Sequence, residues 1–193
     1  MMTQEEIRKA FIDKIKNGEI QETGYDCPSG NEYVELRNVQ FVVSRYFIFP
    51  EVRSLDRVHY QWYMDNYEPI LLRNNQFDKC IEKLGKNDKT RQAVLIMGDV
   101  QEFDSDYFIC TMYMHIFLDK QEDGSYNMMY IVHMRSNDAI EFGNDIIWHK
   151  NIAARICYTL KQKYGYNVNL PTIVWNADSF HVYKEYFHKI VHD

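Results

Sequence analysis

The chain has 193 residues, 46% hydrophobic and 26% charged, which is enough apolar material for one domain over residues 1–193 with a substantial core and makes disorder a poor fit. A formal charge of -6 argues against a partner held by phosphate neutralisation, such as polymeric DNA or RNA, but leaves room for a single nucleotide needing two or three local cations. No apolar run approaches the ~20 residues of a membrane span and the opening Met1–Phe11 is too charged for a secretory signal, so a cytoplasmic protein without a membrane partner is expected.

Thr3-Gln4-Glu5-Glu6 has the spacing of a capping box, and Ile7, Phe11 and Ile15 share one face behind it, so a helix is predicted over 3–17 with Gly18 as its stop. A turn at Pro28-Ser29-Gly30 precedes a strand from Tyr33 to Val43. Helices are predicted over 55–66 and from Gln76 to Leu84, the second ended by Gly85, and a short buried strand over Ala93–Met97. A hairpin joins Tyr107–Leu118 to Met128–Met134 through Gln121–Ser125. Strict alternation along its first arm puts Phe108, Cys110, Met112 and Met114 on one face and Tyr113 and His115 on the other. Residues 144–164 read as the longest helix, followed by a strand at Thr172–Asn176 and a closing helix near 181–191. Antiparallel strands with helices grouped around them make an α+β fold.

Four cysteines (Cys27, Cys80, Cys110, Cys157) form no Cys-x-x-Cys pair, so neither a metal knuckle nor a disulfide framework is expected, and no metal site is predicted. There is no Walker loop, Gly-x-Gly-x-x-Gly, His-Glu-x-x-His or Gly-x-Ser-x-Gly. By pattern alone, Cys110 on an apolar strand reads as an inert core thiol sooner than as a nucleophile, since free cysteine is among the most buried residue types. The segment Met134-Arg135-Ser136-Asn137-Asp138 gathers an arginine, a hydroxyl and an amide at a strand end, which suits either a phosphate or sugar grip or an ordinary surface turn.

Several runs resemble one family in the same order: His133–Asp138, Gly143-Asn144-Asp145 with Trp148, Ile173-Val174-Trp175-Asn176 and Ser179-Phe180-His181-Val182-Tyr183. Upstream, Phe108-Ile109-Cys110-Thr111, Leu84–Arg91, Pro28-Ser29-Gly30 and Val34-Glu35-Leu36 continue the agreement. The chain resembles the thymidylate synthase and pyrimidine hydroxymethylase superfamily, and within it the phage deoxycytidylate hydroxymethylases. This resemblance implies a mixed β-sheet with flanking helices and a homodimer. It implies a transferase that modifies carbon 5 of a pyrimidine nucleotide, dCMP by preference, with 5,10-methylenetetrahydrofolate as the one-carbon donor. If the chain is phage-encoded, the host cytoplasm is the compartment. Cys110 takes the place of the family nucleophile, and Asp145 takes the place of the group that distinguishes cytosine from uracil. Arg135 and Ser136, with Arg91 of a second copy, would grip the 5'-phosphate, while His181 and Tyr183 would hold the sugar and Asn144 would line the nucleotide site. Asp138 would face the pterin.

The chain departs from the family pattern in three places. The segment between Trp62 and Asp78 is short and lacks a Tyr-Gly-x-x-Trp stretch, the sequence stops soon after Tyr183, and His59 stands where a catalytic glutamate is expected. A histidine can serve as acid or base near neutrality, so the catalytic set is written as Cys110, His59 and Asp145. The alternative is a repurposed or inactive relative that binds pyrimidine nucleotides without folate, as a sensor, a sequestering protein or the partner of an active paralogue.

Overall fold

A computed structural model describes residues 1–24, 30–43, 57–99 and 108–191, without the side chains of 57–59. The chain opens on α1 (Gln4–Lys16), where the expected capping box forms: Thr3 Oγ1 accepts from the Glu6 amide at 3.1 Å and the Glu6 carboxylate accepts from the Thr3 amide at 2.7 Å. A short strand β1 (Gln21–Glu22) precedes β2 (Glu32–Val42), and α2 (Arg57–Asn66) leads into α3 (Glu68–Leu72), a helix that periodicity did not reveal because it is only five residues long. Next come α4 (Gln76–Lys86), β3 (Val94–Ile96), β4 (Thr111–Lys120), β5 (Tyr126–Met134), β6 (Asn137–Asp138), α5 (Phe142–Tyr164), β7 (Thr172–Tyr183) and α6 (Phe187–Val191). The turn at Pro28-Ser29 and the start of the hairpin arm at Tyr107 lie outside the described residues.

Strand order is β1-β2-β7-β5-β4-β3, with β6 beside β7. The β5–β7 and β6–β7 pairs are parallel and the others antiparallel, so the sheet is mixed, as expected. Because residues paired across strands point to the same side, the registers sort the sheet into two faces. Phe41, Trp175, Val132, Met114 and Leu95 belong to the covered face and are buried, and the long helix α5 packs there through Phe142 and His149, whose rings both meet Trp175 edge-on. The other face carries Val42, Met129, Tyr113 and Ile96, between 37% and 54% exposed, with the His133 ring stacked on Tyr113 at 4.2 Å.

Three expectations are corrected. The strand expected at Thr172–Asn176 runs on to Tyr183, and the closing helix shrinks to α6 after a 3-10 turn at Lys184–Tyr186. Beyond Ala177, where the β5 ladder ends, β7 still has ladder partners on both sides, β2 and β6, and that long-range pairing outweighs local preference. Gly85 lies within α4 rather than after it, because the space is needed: a Cβ there would sit 2.2 Å from the Tyr164 ring, which packs in from the end of α5. The alternation from Cys110 to Met114 also fails. A register shift between Thr111 and Tyr113 inserts an extra residue, so Thr111 and Met114 are both buried, and the Met112 carbonyl accepts from the Met97 and Gly98 amides.

Candidate nucleotide-binding and catalytic cleft

The chain leaves β5 at Met134, and the Arg135 amide still donates to the Cys110 carbonyl at 2.9 Å, which ties the approach to β4 against the end of β5. Two residues later, β6 pairs Asn137 with Phe180 and Asp138 with His181, and the Ala139 amide donates to the His181 carbonyl before α5 begins. This short strand turns the Arg135–Asp138 segment back over β7. A cleft of about 270 Å3 opens there, with Cys110, Arg135 and Ser136 on one side, Asp138, Glu141 and Asp145 on another, and Trp62, Tyr63 and Tyr67 supplied by α2 and the residue that follows it. Ser136, His181 and Tyr183 also line an adjoining hollow of about 90 Å3 with Thr23, Tyr33 and Ser179.

Asp145 projects from the first turn of α5 into a buried network. Tyr63 donates to its Oδ1 at 2.6 Å, Asn137 Nδ2 donates to its Oδ2 at 2.6 Å, and the Trp175 indole donates to Asn137 Oδ1 at 3.0 Å. Burial pushes the Asp145 carboxyl up to about 6, against the two donors that hold it down. Asp138 is raised further, to about 7, again chiefly by burial, while its Oδ1 accepts from the Ile140 amide at 2.8 Å.

Cys110 lies just before β4. Burial raises its thiol above the ordinary value; the Arg135 charge pulls it down, as expected of a neighbouring cation, but is outweighed, and the Asp145 charge adds to the rise. Arg135 is less open to a ligand than the sequence implies. Its Nε donates to the Ile109 carbonyl at 3.1 Å, its Nη2 donates to the Phe108 carbonyl, and the guanidinium lies over the Phe108 ring. It braces the Cys110 segment and keeps Nη1 for other work.

Behind Cys110 runs a second buried chain. His149 sits between the Tyr130 hydroxyl, 3.0 Å from Nδ1, and Thr111 Oγ1, 3.3 Å from Nε2, while Thr111 donates to the Met134 sulfur at 3.3 Å. One assignment satisfies every group: Tyr130 donates to Nδ1 and Nε2–H donates to Thr111. Burial drops the His149 ring to about 3, so it stays neutral and serves as scaffold for the cleft wall.

The sequence-predicted residues divide clearly. Cys110, Arg135, Ser136, Asp138, Asp145, His181 and Tyr183 come together in one cleft. Burial holds the His181 imidazole down to about 4, so it meets a ligand as a neutral ring. Asn144 is displaced from the lining: it is buried behind Glu141, to which its Nδ2 donates at 2.9 Å. Helical geometry explains the shift, since Asp145 points inward and the position just before it must turn about 100° away. Arg91 is exposed in the loop before β3 and does not line this cleft; its carbonyl lies 3.0 Å from His115 Nε2. The side chain of His59 lies outside the described residues, although its backbone belongs to α2.

No protein-family model matches the chain. It is 29% identical over 146 residues to the deoxycytidylate 5-hydroxymethyltransferase of Enterobacteria phage T6, and 28% identical over 140 residues to the protein of that name from Enterobacteria phage T4. Each alignment takes in 68% of this chain and 52% of the relative, so the chain spans about half the length of the curated relatives it matches. The thermostable thymidylate synthase A of Bacillus subtilis superposes with a TM-score of 0.66, covering 97% of this chain and 82% of that one at 12% identity. The chain has the thymidylate synthase fold. The superfamily resemblance therefore holds in sequence and in architecture. Within that fold, sequence reading overlooked Tyr63 and Tyr67 on the cleft wall and Thr23, Tyr33 and Ser179 in the hollow. The aromatic run around Trp62 was a usable signal for the first two, whereas the hollow unites residues from β2, β7 and the turn after β1 that no linear pattern links.

Proposed function

We propose that the chain is a pyrimidine nucleotide C5 hydroxymethyltransferase acting on dCMP through a covalent bond between Cys110 and carbon 6. The observation that carries this reading is the meeting of the Cys110 thiol and the buried Asp145 carboxylate in one cleft, in a chain similar to deoxycytidylate 5-hydroxymethyltransferases. Carbon 5 of a pyrimidine is a weak nucleophile until a thiolate adds at carbon 6 and makes the ring enamine-like; the thiolate leaves again when carbon 5 loses its proton. Asp145 accepts from the 4-amino group of cytosine, a donor that uracil lacks. The hollow beyond Ser136 is the place for sugar and phosphate, with His181 and Tyr183 at its mouth.

The one-carbon unit would come from 5,10-methylenetetrahydrofolate. Asp138 offers a carboxyl poised near neutrality and Trp62 an aromatic face, a donor set that suits a pterin edge. At about 270 Å3 the described cleft falls just below the ~300–1,000 Å3 of single-ligand pockets, which favours the folate-free relative as the second reading.

Phosphate binding calls for cations, and Arg135 is the only lysine or arginine lining the cleft among the described residues, against Asp138, Glu141 and Asp145. A homodimer formed through the exposed sheet face, with Arg91 entering the neighbour's phosphate site, answers that shortage; the Arg91 backbone sits beside His115 on that face. Titration calorimetry with dCMP, dUMP and the folate, singly and in pairs, tests the reading. It predicts dCMP binding that folate tightens, preference over dUMP, and a weakening by Arg91→Ala of ~1.5–3 kcal/mol. dCMP binding indifferent to folate selects the second reading, and absence of nucleotide binding contradicts both.

A further inference from the structure

Both oxygens of Asp145 accept from donors whose own positions are fixed. The Trp175 indole can only donate, so its bond to Asn137 Oδ1 sets the amide orientation and aims Nδ2 at Asp145 Oδ2. On the other side the Tyr63 ring is stacked on Trp148 with centroids 5.8 Å apart and meets Tyr67 edge-on at 4.9 Å, which fixes where its hydroxyl points. All of these side chains are buried. A carboxylate gripped at both oxygens is held in one plane and in its ionised form, yet each oxygen keeps a further lone pair.

We propose that Tyr63 is a positioning residue for base selection: its hydroxyl holds Asp145 as an acceptor-only carboxylate, so the cleft takes a heterocycle that presents amino-type donors and rejects one that presents a carbonyl there. The inference rests on the reading of the cleft as a nucleotide site. It also gives α2 a part in choosing the base, because the helix that walls the cleft carries the hydroxyl that orients the recognising group.

Tyr63→Phe is the direct test, since it keeps the ring and its stacking and removes only the donor. Two readouts are made: the titration of the Asp145 carboxyl in ligand-free protein by carbon-13 NMR, assigned with Asp145→Asn, and the ratio of dCMP to dUMP affinity. Losing one charge-assisted hydrogen bond is expected to raise the Asp145 midpoint by about one pH unit and to reduce the affinity ratio about tenfold at pH 7. Replacement of Tyr63 by 3-fluorotyrosine, a stronger donor, is expected to move the midpoint downward. An unchanged midpoint and an unchanged ratio in Tyr63→Phe, with Asp145→Asn still altering the ratio, would overturn the role of Tyr63 and leave the nucleotide reading standing. If neither variant altered binding of either nucleotide, both would fall.

Discussion

Replacing Asp145 with asparagine is expected to make the ligand-free protein more stable at pH 8 while damaging its recognition of the base. The carboxyl is raised from 3.8 to about 6 by burial, roughly two pH units, and at 1.36 kcal/mol per unit this corresponds to ~3 kcal/mol against keeping the charge inside. The sign follows from proton binding. Between about pH 4 and 6 the folded chain keeps a proton that the unfolded chain releases, so this group's contribution to stability falls as pH rises through that window and is fully unfavourable above it. An amide carries no such charge, and it can still accept from Asn137 and donate to the Tyr63 oxygen. The expected gain is ~1–3 kcal/mol at pH 8, shrinking towards zero near pH 4. Asp138 adds a smaller gain of the same sign, because the Asp145 charge is among the causes of its own rise. Urea denaturation of both proteins across pH 4–8 measures the difference directly. A variant less stable at pH 8, or a difference that ignores pH, would refute the argument that burial dominates this carboxyl.

Two more outcomes are expected. Gly85→Ala would drive its Cβ into the Tyr164 ring and is expected to destabilise the fold by ~1–3 kcal/mol in thermal melts, with Tyr164→Ala in the same background recovering part of the loss; an unchanged melting temperature would mean that α4 and α5 do not pack this closely. Because burial and the Asp145 charge both raise the Cys110 thiol while Arg135 lowers it, alkylation of Cys110 by iodoacetamide at pH 8 should quicken in Asp145→Asn and slow in Arg135→Gln. Peptide mapping over time reads both rates, and the reverse order would remove Arg135 from the thiol's surroundings.

What the sequence made legible was whatever local chemistry determines. The cap of α1, the hairpin of β4 and β5 and the long α5 follow from patterns a few residues wide, and the ordered runs from Cys110 to Tyr183 brought seven of the expected residues to one cleft. What stayed hidden depends on contacts distant in sequence. The extension of β7 to Tyr183 needs β2 beside it, and Gly85 reads as a helix stop until Tyr164, 79 positions later, is seen to need the space. The Met112 bulge turns Thr111 inward onto His149, a partner 38 residues away. Asn144 and Asp145 are neighbours in the chain, and only the phase of the helix decides which one lines the cleft. Tyr63 was hidden for the same reason: an aromatic on an apolar helix face gives no sign that its hydroxyl ends on a carboxylate 82 residues away.

The central claim is that Cys110 attacks a pyrimidine held by Asp145, and trapping the bond tests it most directly. The protein is incubated with 5-fluoro-dCMP, with and without 5,10-methylenetetrahydrofolate, and examined by intact-mass and peptide mass spectrometry. Once carbon 5 has bonded to the one-carbon unit, fluorine stands where the leaving proton would be and the thiol cannot be expelled, whereas without folate the addition at carbon 6 reverses. The account therefore predicts a stable adduct of nucleotide and folate on the peptide carrying Cys110, formed only with folate, abolished in Cys110→Ser and reduced in Asp145→Asn. Nucleotide bound at equilibrium with no adduct on Cys110 under either condition would contradict it.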